Sequence, residues 1–518
     1  MKPIKALFVF FFACFAIQAT AQKKPNIIVI MADDVGWASL GSYHQGIKSI
    51  ETPNLDNLAS QGARLTDYYA QPSCTAGRSA FITGQLPIRT GMHTVGLPGE
   101  KKGLHQKDPT IASLLKLQGY TTGQFGKNHL GDLNQYLPTN IGFDEYWGWL
   151  YHLNAMEYAA DPDWPKDKKF NEQYGPRNVI HSYATNKDSN KTDPRWGNVG
   201  KQRIVDDGPA LPKRQETLDD EVTKHTLNFM TKAVESKKPF FIWMAPARAH
   251  VWTNLQPKYN KMLGNGKGLQ DIVMKELDDN VGKVLSKIDK LGIADNTIVV
   301  FTSDNGPETM TWPDGGTTPF HGEKGTTWEG GYRVPAIVRW PGKIPTGKVY
   351  NGIFDGMDWL PTLVAAAGGS STLKSDLLKG SQGYKVHLDG YNQLSFLQGK
   401  EKSQRQEIYY YNGTKLQAVR KGDWKAHFAV QNHGWSGPVD DLNAPLLFNL
   451  RRDPYEKAAD ESGMYTKWMG KKMWAFGPAK TIVQQHLMSF KKFPPRGSAM
   501  QNQAAIEEQT KNEQGLAQ

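Results

Sequence analysis

Along the chain the first regular stretch is Pro25-Asn26-Ile27-Ile28-Val29-Ile30-Met31, a near-continuous apolar run that stops at Asp33 and Asp34. An apolar run without alternation is what a strand buried on both faces of a parallel sheet requires. Thr110 to Tyr120 carries apolar residues at helical spacing, breaks at Gly119 and leads into an extended stretch, Thr121 to Phe125. Leu218 to Val234 reads as a second helix, and Lys238-Pro239 introduces a strand over Phe240 to Met244. A third helical stretch, Leu269 to Leu291, ends at Gly292 and feeds Thr297 to Phe301. Helix and strand thus alternate at βαβ spacing. The pattern predicts an α/β fold, a large mixed, mostly parallel sheet sandwiched by helices.

Two regions differ in texture. Between Tyr151 and Glu216 the pattern dissolves into Asp, Asn, Lys, Pro and Trp without a clear period. That reads as an irregular insertion over 151–216, placed to shape a substrate pocket. Beyond about Gly369, short runs follow at close spacing: Ile408 to Tyr411, Gln417 to Arg420, Trp424 to Phe428 and Leu446 to Leu450. These predict a smaller C-terminal antiparallel sheet, and Thr481 to Lys491 predicts a helix beside it. The expected organisation is an α/β domain over 22–370, an α+β subdomain over 371–500 and a polar tail over 501–518. Residues 1–21 stand apart. Lys2 and Lys5, the apolar run Ala6 to Ile17 and the small residues Ala19-Thr20-Ala21 read as a signal peptide cleaved near Ala21. The run is short for a membrane span and no later segment could form one. The expected product is exported, periplasmic or secreted, with no transmembrane segment in the mature chain.

Composition adds constraints. A chain of 518 residues exceeds one ordinary core, which agrees with two packed units. The formal net charge of +11 favours anionic partners. Lys and Arg are scattered and no nucleic-acid-binding motif is present, so nucleic acid is not an expected partner. Of the two cysteines, Cys14 leaves with the signal peptide. Cys74 then has no internal disulfide partner, and a lone thiol in an oxidising compartment points to chemistry, with an inert buried thiol as the alternative.

Ligands of open α/β sheets bind beyond the carboxyl ends of the strands. The residues found there are Asp33 and Asp34, then Lys127 and His129, then His250, then Asp304 and Asn305. Asp33, Asp34, Asp304 and Asn305 offer hard oxygen ligands, which suit calcium or magnesium. Pro72-Ser73-Cys74-Thr75-Ala76-Gly77-Arg78-Ser79 sets a cysteine among small residues ahead of an apolar helical stretch. A helix N-terminus there favours an anion, and Arg78 adds a planar cation suited to an oxyanion.

Cys74-Thr75-Ala76-Gly77-Arg78 resembles the Cys-x-(Pro/Ala)-x-Arg signature of type I sulfatases, members of the alkaline phosphatase superfamily. The same family is resembled by Ser79 to Gly84, Gly126-Lys127-Asn128-His129-Leu130-Gly131, Thr302 to Gly306, Gly322 to Gly331 and, late in the chain, Leu447 to Glu456. The likeness spans Pro25 to roughly Glu456, with the motifs in the family's order. Three positions depart from it: Asn128 stands where Trp is frequent, Ala76 where Pro is commoner, and His321 where many relatives have Arg. None removes a metal ligand or the nucleophile.

The resemblance implies that Cys74 is oxidised to 3-oxoalanine (formylglycine) by a maturation enzyme and hydrated to a geminal diol. One hydroxyl then attacks sulfur, and the other expels sulfate. It implies Ca2+ at Asp33, Asp34, Asp304 and Asn305, with Mg2+ also permitted by oxygen ligands. Arg78 and Lys127 would hold the hydroxylate, His129 would take the elimination proton, and His250 and Lys324 would contact sulfate and the leaving oxygen. The implied substrate is an aryl sulfate or a sulfated carbohydrate, whether small molecule or glycan. Rival readings are a phosphonate or phosphate ester hydrolase of the same superfamily, a non-catalytic binder of sulfated glycans and a Cys-His thiol hydrolase.

Overall fold

The first strand is the centre of the molecule. All seven residues of β1, Asn26–Ala32, are buried, and they alternate between two apolar cores. Ile27, Val29 and Met31 belong to one core, and Ile28, Ile30 and Ala32 to the other. Each of the Ile, Val and Met side chains contributes about 1.5–3 kcal/mol on burial, which is why the run shows no polar alternation. The computed structural model describes residues 24–496 other than 95, 252 and 314. The segment read as a signal peptide and the polar tail 501–518 lie outside the described residues.

The strands that follow are β2 (Ala63–Leu65), β3 (Tyr68–Tyr69), β4 (Thr121–Gly126), β5 (Glu145–Gly148), β6 (Ile180–Asp193), β7 (Gly197–Asp206), β8 (Phe240–Ala245), β9 (Thr297–Ser303), β10 (Ala336–Arg339), β11 (Lys348–Tyr350) and β12 (Phe354–Asp355). Ten of them build one sheet in the order β11-β2-β10-β9-β1-β8-β4-β5-β6-β7, and β3 pairs with β12. Pairings are parallel except where β10 and β6 run against their neighbours. The sheet is therefore mixed and mostly parallel. Its register brings strand ends level: Ala32 pairs with Ser303, and Gly126 with Ala245.

Helices cover both faces. Leu218–Glu235 and Leu269–Lys290 pack Phe229, Met230, Leu277 and Val281 into one core, and Ile111–Lys116 and Trp359–Ala366 pack Leu115 and Leu363 into the other. The helix at Ile111 starts where its sequence dictates. Thr110 Oγ1 accepts from the Ser113 N–H at 2.9 Å and Ser113 Oγ accepts from the Thr110 N–H at 3.0 Å, a reciprocal cap.

The smaller sheet is an antiparallel meander, β13 (Glu407–Asn412), β14 (Lys415–Lys421), β15 (Trp424–Val430) and β16 (Asp440–Asn449), with the helix Phe476–Lys492 packed on it. Buried ion pairs tie it to the large unit. Arg420 on β14 meets Asp67 at 2.8 Å, and Lys425 on β15 meets Glu329 at 3.1 Å and Glu456 at 2.9 Å. Glu456 also accepts the Glu329 N–H at 2.7 Å. The Leu447 to Glu456 motif thus anchors the Gly322 to Gly331 loop from behind.

Two readings of the sequence need correction. Residues 151–216 are not irregular throughout: β6 and β7 form a long hairpin that adds two strands to the main sheet. Its distal part is exposed on both faces, so no apolar alternation marks it. Residues 371 to about 397, grouped above with the smaller sheet, contribute Leu373, Leu377, Val386, Leu388 and Leu397 to the large unit's core.

Candidate active site

The carboxyl ends of β9, β1, β8 and β4 lie side by side in the sheet. Asp33 and Asp34 follow β1 directly, Asp304 and Asn305 follow β9, and Lys127 and His129 follow β4. His250 comes five residues after β8, on a turn bound to the β1 loop: Asp33 N–H donates to Arg248 O at 3.2 Å and Ala249 N–H to Asp33 O at 2.8 Å. Asp219 fixes that turn by accepting the Ala247 and Arg248 N–H groups at 2.7 and 3.1 Å.

Opposite these ends stands the helix Cys74–Thr83, every residue of it buried. Cys74 is its first residue and Arg78 lies one turn on. The helix comes this close because Gly77 has no side chain, since a Cβ there would sit 1.9 Å from the Asp304 carbonyl oxygen. Gly77→Ala is expected to push helix and β9 loop apart, lowering stability by about 1–3 kcal/mol and activity more sharply. Thermal melting beside kinetics checks this, and an unperturbed variant would show that the approach is not tight.

All ten candidate residues converge, and none is more than 4% exposed. Arg78 Nη2 is 2.8 Å from Asp304 and 3.6 Å from Asp33. Lys127 Nζ is 2.7 Å from Asp33. Lys324 Nζ lies 2.7 Å from Asp34 and 2.7 Å from Glu308. Asn305 Nδ2 donates to Asp34 at 2.7 Å, and His250 Nε2 is 3.9 Å from Asp34 Oδ2. Ligand atoms of Asp33, Cys74 and Asp304 lie within 4.8 Å of one another. Asp34 and His129 hold positive φ of 60° and 58°, a conformation kept for non-glycine residues mainly where surroundings demand it.

The electrostatics show a surplus of negative charge. Burial alone would raise the Asp33 carboxyl, but Lys127, His250, Arg78 and Lys324 outweigh it and hold Asp33 well below the ordinary range. Asp34 goes the other way, pushed up to about 8 by burial, with Asp33, Glu308 and Asp304 adding to the shift. Burial and the neighbouring Asp33 likewise raise Asp304. Asp33 Oδ1 and Asn305 Oδ1 are buried without a hydrogen-bond partner, while Asp304 Oδ2 has the Arg78 guanidinium at 2.8 Å. Unpaired buried oxygens are costly, and crowded oxygen-only donors fit a hard divalent cation.

Two more features bear on the chemistry. The Cys74 thiol is pushed up to about 12 by burial despite Lys127 and Lys324, so as a thiol it is not an ionised nucleophile. Burial, with Lys127 next, keeps His129 well below its ordinary value, and both of its ring nitrogens lack a hydrogen-bond partner. A neutral imidazole with free nitrogens can accept a proton. Sequence reasoning missed Glu308, the buried partner of Lys324, and His152, whose ring lies 6.0 Å from His129 and 6.4 Å from His250. Glu308 stands four residues beyond Asp304 and could have been flagged by that nearness; His152 lies in the stretch that gave no pattern.

Residues 25–370 match the family profile described as sulfatase, and residues 403–509 match the profile for the C-terminal region of aryl-sulfatase. The chain is 34% identical to human arylsulfatase A over 84% of its length and 83% of the relative's. It is 32% identical to human N-acetylgalactosamine-6-sulfatase over 90% and 86%. Among solved structures, the PsFucS1 sulfatase from Pseudoalteromonas sp. superposes with a TM-score of 0.77 at 31% identity, covering 92% of each chain. The structure of Ps i-CgsB in complex with k-i-k-neocarrahexaose gives 0.65 at 27% identity, covering 87% of this chain and 93% of that one.

Proposed function

The chain belongs to the sulfatase family, within the alkaline phosphatase superfamily, and is a sulfate ester hydrolase; we propose that it works through formylglycine formed at Cys74 and a divalent cation, calcium by preference, held by Asp33, Asp34, Asp304 and Asn305. The observation that carries this reading is the meeting of the Cys74 helix terminus with three buried cations, the Asp304 carboxylate and the unpartnered oxygens of Asp33 and Asn305. When bound, the cation would supply Lewis-acid polarisation of sulfate oxygens. The hydrated aldehyde would supply a hydroxyl nucleophile that the un-ionised thiol does not, which also tells against a Cys-His thiol hydrolase.

The protein's own groups then divide the work. Arg78 and Lys127 flank residue 74 and stabilise negative charge on it. His129, neutral and unpartnered, accepts the proton when sulfate is expelled. The Nδ1 atom of His250 hydrogen-bonds the Val251 carbonyl, which fixes Nδ1 as the protonated nitrogen and turns Nε2 toward Asp34. Lys324 donates to the sulfate oxygens and the leaving oxygen, and His250 Nε2 would join it only with the ring protonated at both nitrogens.

Charge balance separates sulfate from phosphate. With a divalent cation bound and Asp34 ionised by it, four carboxylates (Asp33, Asp34, Asp304 and Glu308) face three cations (Arg78, Lys127 and Lys324), which leaves the site with a single positive charge. That matches a sulfate monoester, which carries one negative charge, better than a phosphate monoester dianion. A sulfated carbohydrate is the substrate class we favour. An aromatic series leads outward from His250 through His152 to Tyr158 and on to Trp164, stacked at 5.5 Å, and ring faces of this kind pack on sugars. Relatives named for N-acetylgalactosamine 6-sulfate and a neighbour holding a neocarrahexaose point the same way. Export with a cleaved leader is part of this reading; among the described residues no helix is long and apolar enough to cross a membrane.

Two measurements test the proposal together. Peptide mass spectrometry across residue 74 is expected to find the aldehyde in protein from its natural host. A sulfate ester is expected to turn over at least about 100-fold faster than its phosphate analogue, roughly 2.7 kcal/mol of transition-state discrimination. Unmodified cysteine in fully active protein, or a preference for phosphate, would overturn it.

A further inference from the structure

A second cluster of metal-ligating side chains lies away from this site, toward the amino end of β5. Glu145 opens β5, His181 is the second residue of β6, and His225 lies on the helix Leu218–Glu235 that covers them. One ligand atom from each falls within 4.8 Å of the others. Glu145 and His181 are already in contact, with Nε2 2.8 Å from Oε1.

Each ring is oriented as a ligand should be. The Tyr183 hydroxyl sits 3.2 Å from His181 Nδ1, which leaves Nε2 to face Glu145. Such a partner on the far nitrogen is how metal-bound imidazoles are fixed. His225 stacks on Trp147 with centroids 4.5 Å apart and planes at 13°, and stands nearly perpendicular to His181 at 5.1 Å. It makes no hydrogen bond among the described residues, so a ring nitrogen keeps a lone pair to give. Neighbouring cations are engaged elsewhere: Arg214 pairs with Asp207 and Glu221 at 2.8 Å each, and Arg203 lies 4.3 Å over the Tyr183 ring. The His181 and Glu145 side chains remain 18% and 13% exposed, leaving room for a water as fourth ligand.

We propose that Glu145, His181 and His225 form a site for a divalent transition metal, zinc by ligand type, that pins β5 and β6 to the overlying helix. Two imidazoles and a carboxylate with an open fourth position are a zinc donor set, whereas the oxygen-only catalytic set suits calcium. Tetrahedral zinc needs its ligand atoms about 3.4 Å apart, which small side-chain rotations achieve from the observed spacing. The proposal does not depend on the mechanism of sulfate hydrolysis.

The test uses the whole enzyme saturated with calcium, with Co2+ as optical probe and Zn2+ as competitor. One equivalent of Co2+ is expected to give the visible absorption of a low-coordinate site, to be displaced by Zn2+, and to be lost or weakened at least about tenfold in both Glu145→Gln and His225→Ala. Zinc is expected to raise the melting temperature of the parent protein by a few degrees and that of neither variant. Sulfatase turnover in calcium should be unchanged by either substitution. Absence of Co2+ binding to the parent, or binding that persists in both variants and so belongs to the catalytic histidines, overturns the proposal. Glu145→Gln keeps size and shape, so it stands as the decisive variant where His225→Ala fails to fold.

Discussion

Cys74→Ala is expected to lower turnover by at least about 10⁴-fold, the scale on which an enzyme loses its nucleophile, while leaving the fold intact. The change deletes one sulfur from a buried position, a loss on the order of 1 kcal/mol, and removes no charge. Arg78, Lys127 and Lys324 keep their carboxylate partners at 2.7 to 2.8 Å without it. Substrate is therefore expected to bind the variant and not turn over. Calorimetric titration with a sulfate ester beside steady-state kinetics separates the two effects. Turnover at the parent rate would remove residue 74 from the reaction.

Asp304 carries two tasks, and two substitutions tell them apart. As a proposed metal ligand its loss should cost activity on the order of 10³-fold or more. As the 2.8 Å partner of buried Arg78 its loss should also cost stability. Asp304→Asn keeps an oxygen acceptor near Arg78 and removes the charge, so calcium stoichiometry and turnover are expected to fall with a modest change in melting temperature. Asp304→Ala leaves Arg78 the Lys127 carbonyl at 3.2 Å and no carboxylate nearer than Asp33 at 3.6 Å, and a further stability loss of about 3–5 kcal/mol is expected. Metal analysis and thermal melting on both proteins check this. An Asn variant that keeps its calcium and its turnover would remove Asp304 from the metal site.

The parts of the molecule that were legible in the sequence are those where one physical cause acts over a whole segment. β1 is apolar from Ile27 to Ala32 because both its faces meet a core, and the amphipathic period of Leu218–Glu235 reflects a single buried side. The chemistry at the strand ends was legible for a related reason: Asp33, Lys127 and Asp304 follow strands whose ends the parallel register brings level. What was not legible depends on long-range partners. The β6–β7 hairpin is fixed by pairing with β5, which leaves no signature in its own polar residues. His152 reaches His129 and His250 only through the path of that same region. Leu373 and Leu377 look like any short amphipathic helix, and nothing local says which of two cores receives them.

The complete enclosure of the Cys74 helix has a consequence for the order of events during biosynthesis. Cys74 is 2% exposed, its helix carries Gly77 packed on the Asp304 carbonyl, and the Gly322 to Gly331 loop held by Glu456 donates Gly325 N–H to Pro72 O at 2.8 Å, so the folded protein leaves no room for another enzyme's active centre. Any oxidation of this residue by a second protein must therefore take place on the nascent or still-unfolded polypeptide. Folding closes the window. If the proposed conversion of Cys74 is made by such a protein, a molecule that folds with its thiol unaltered would stay in that state until it unfolds again, and the active fraction of a preparation would be decided by a race between chain closure and the modifying enzyme.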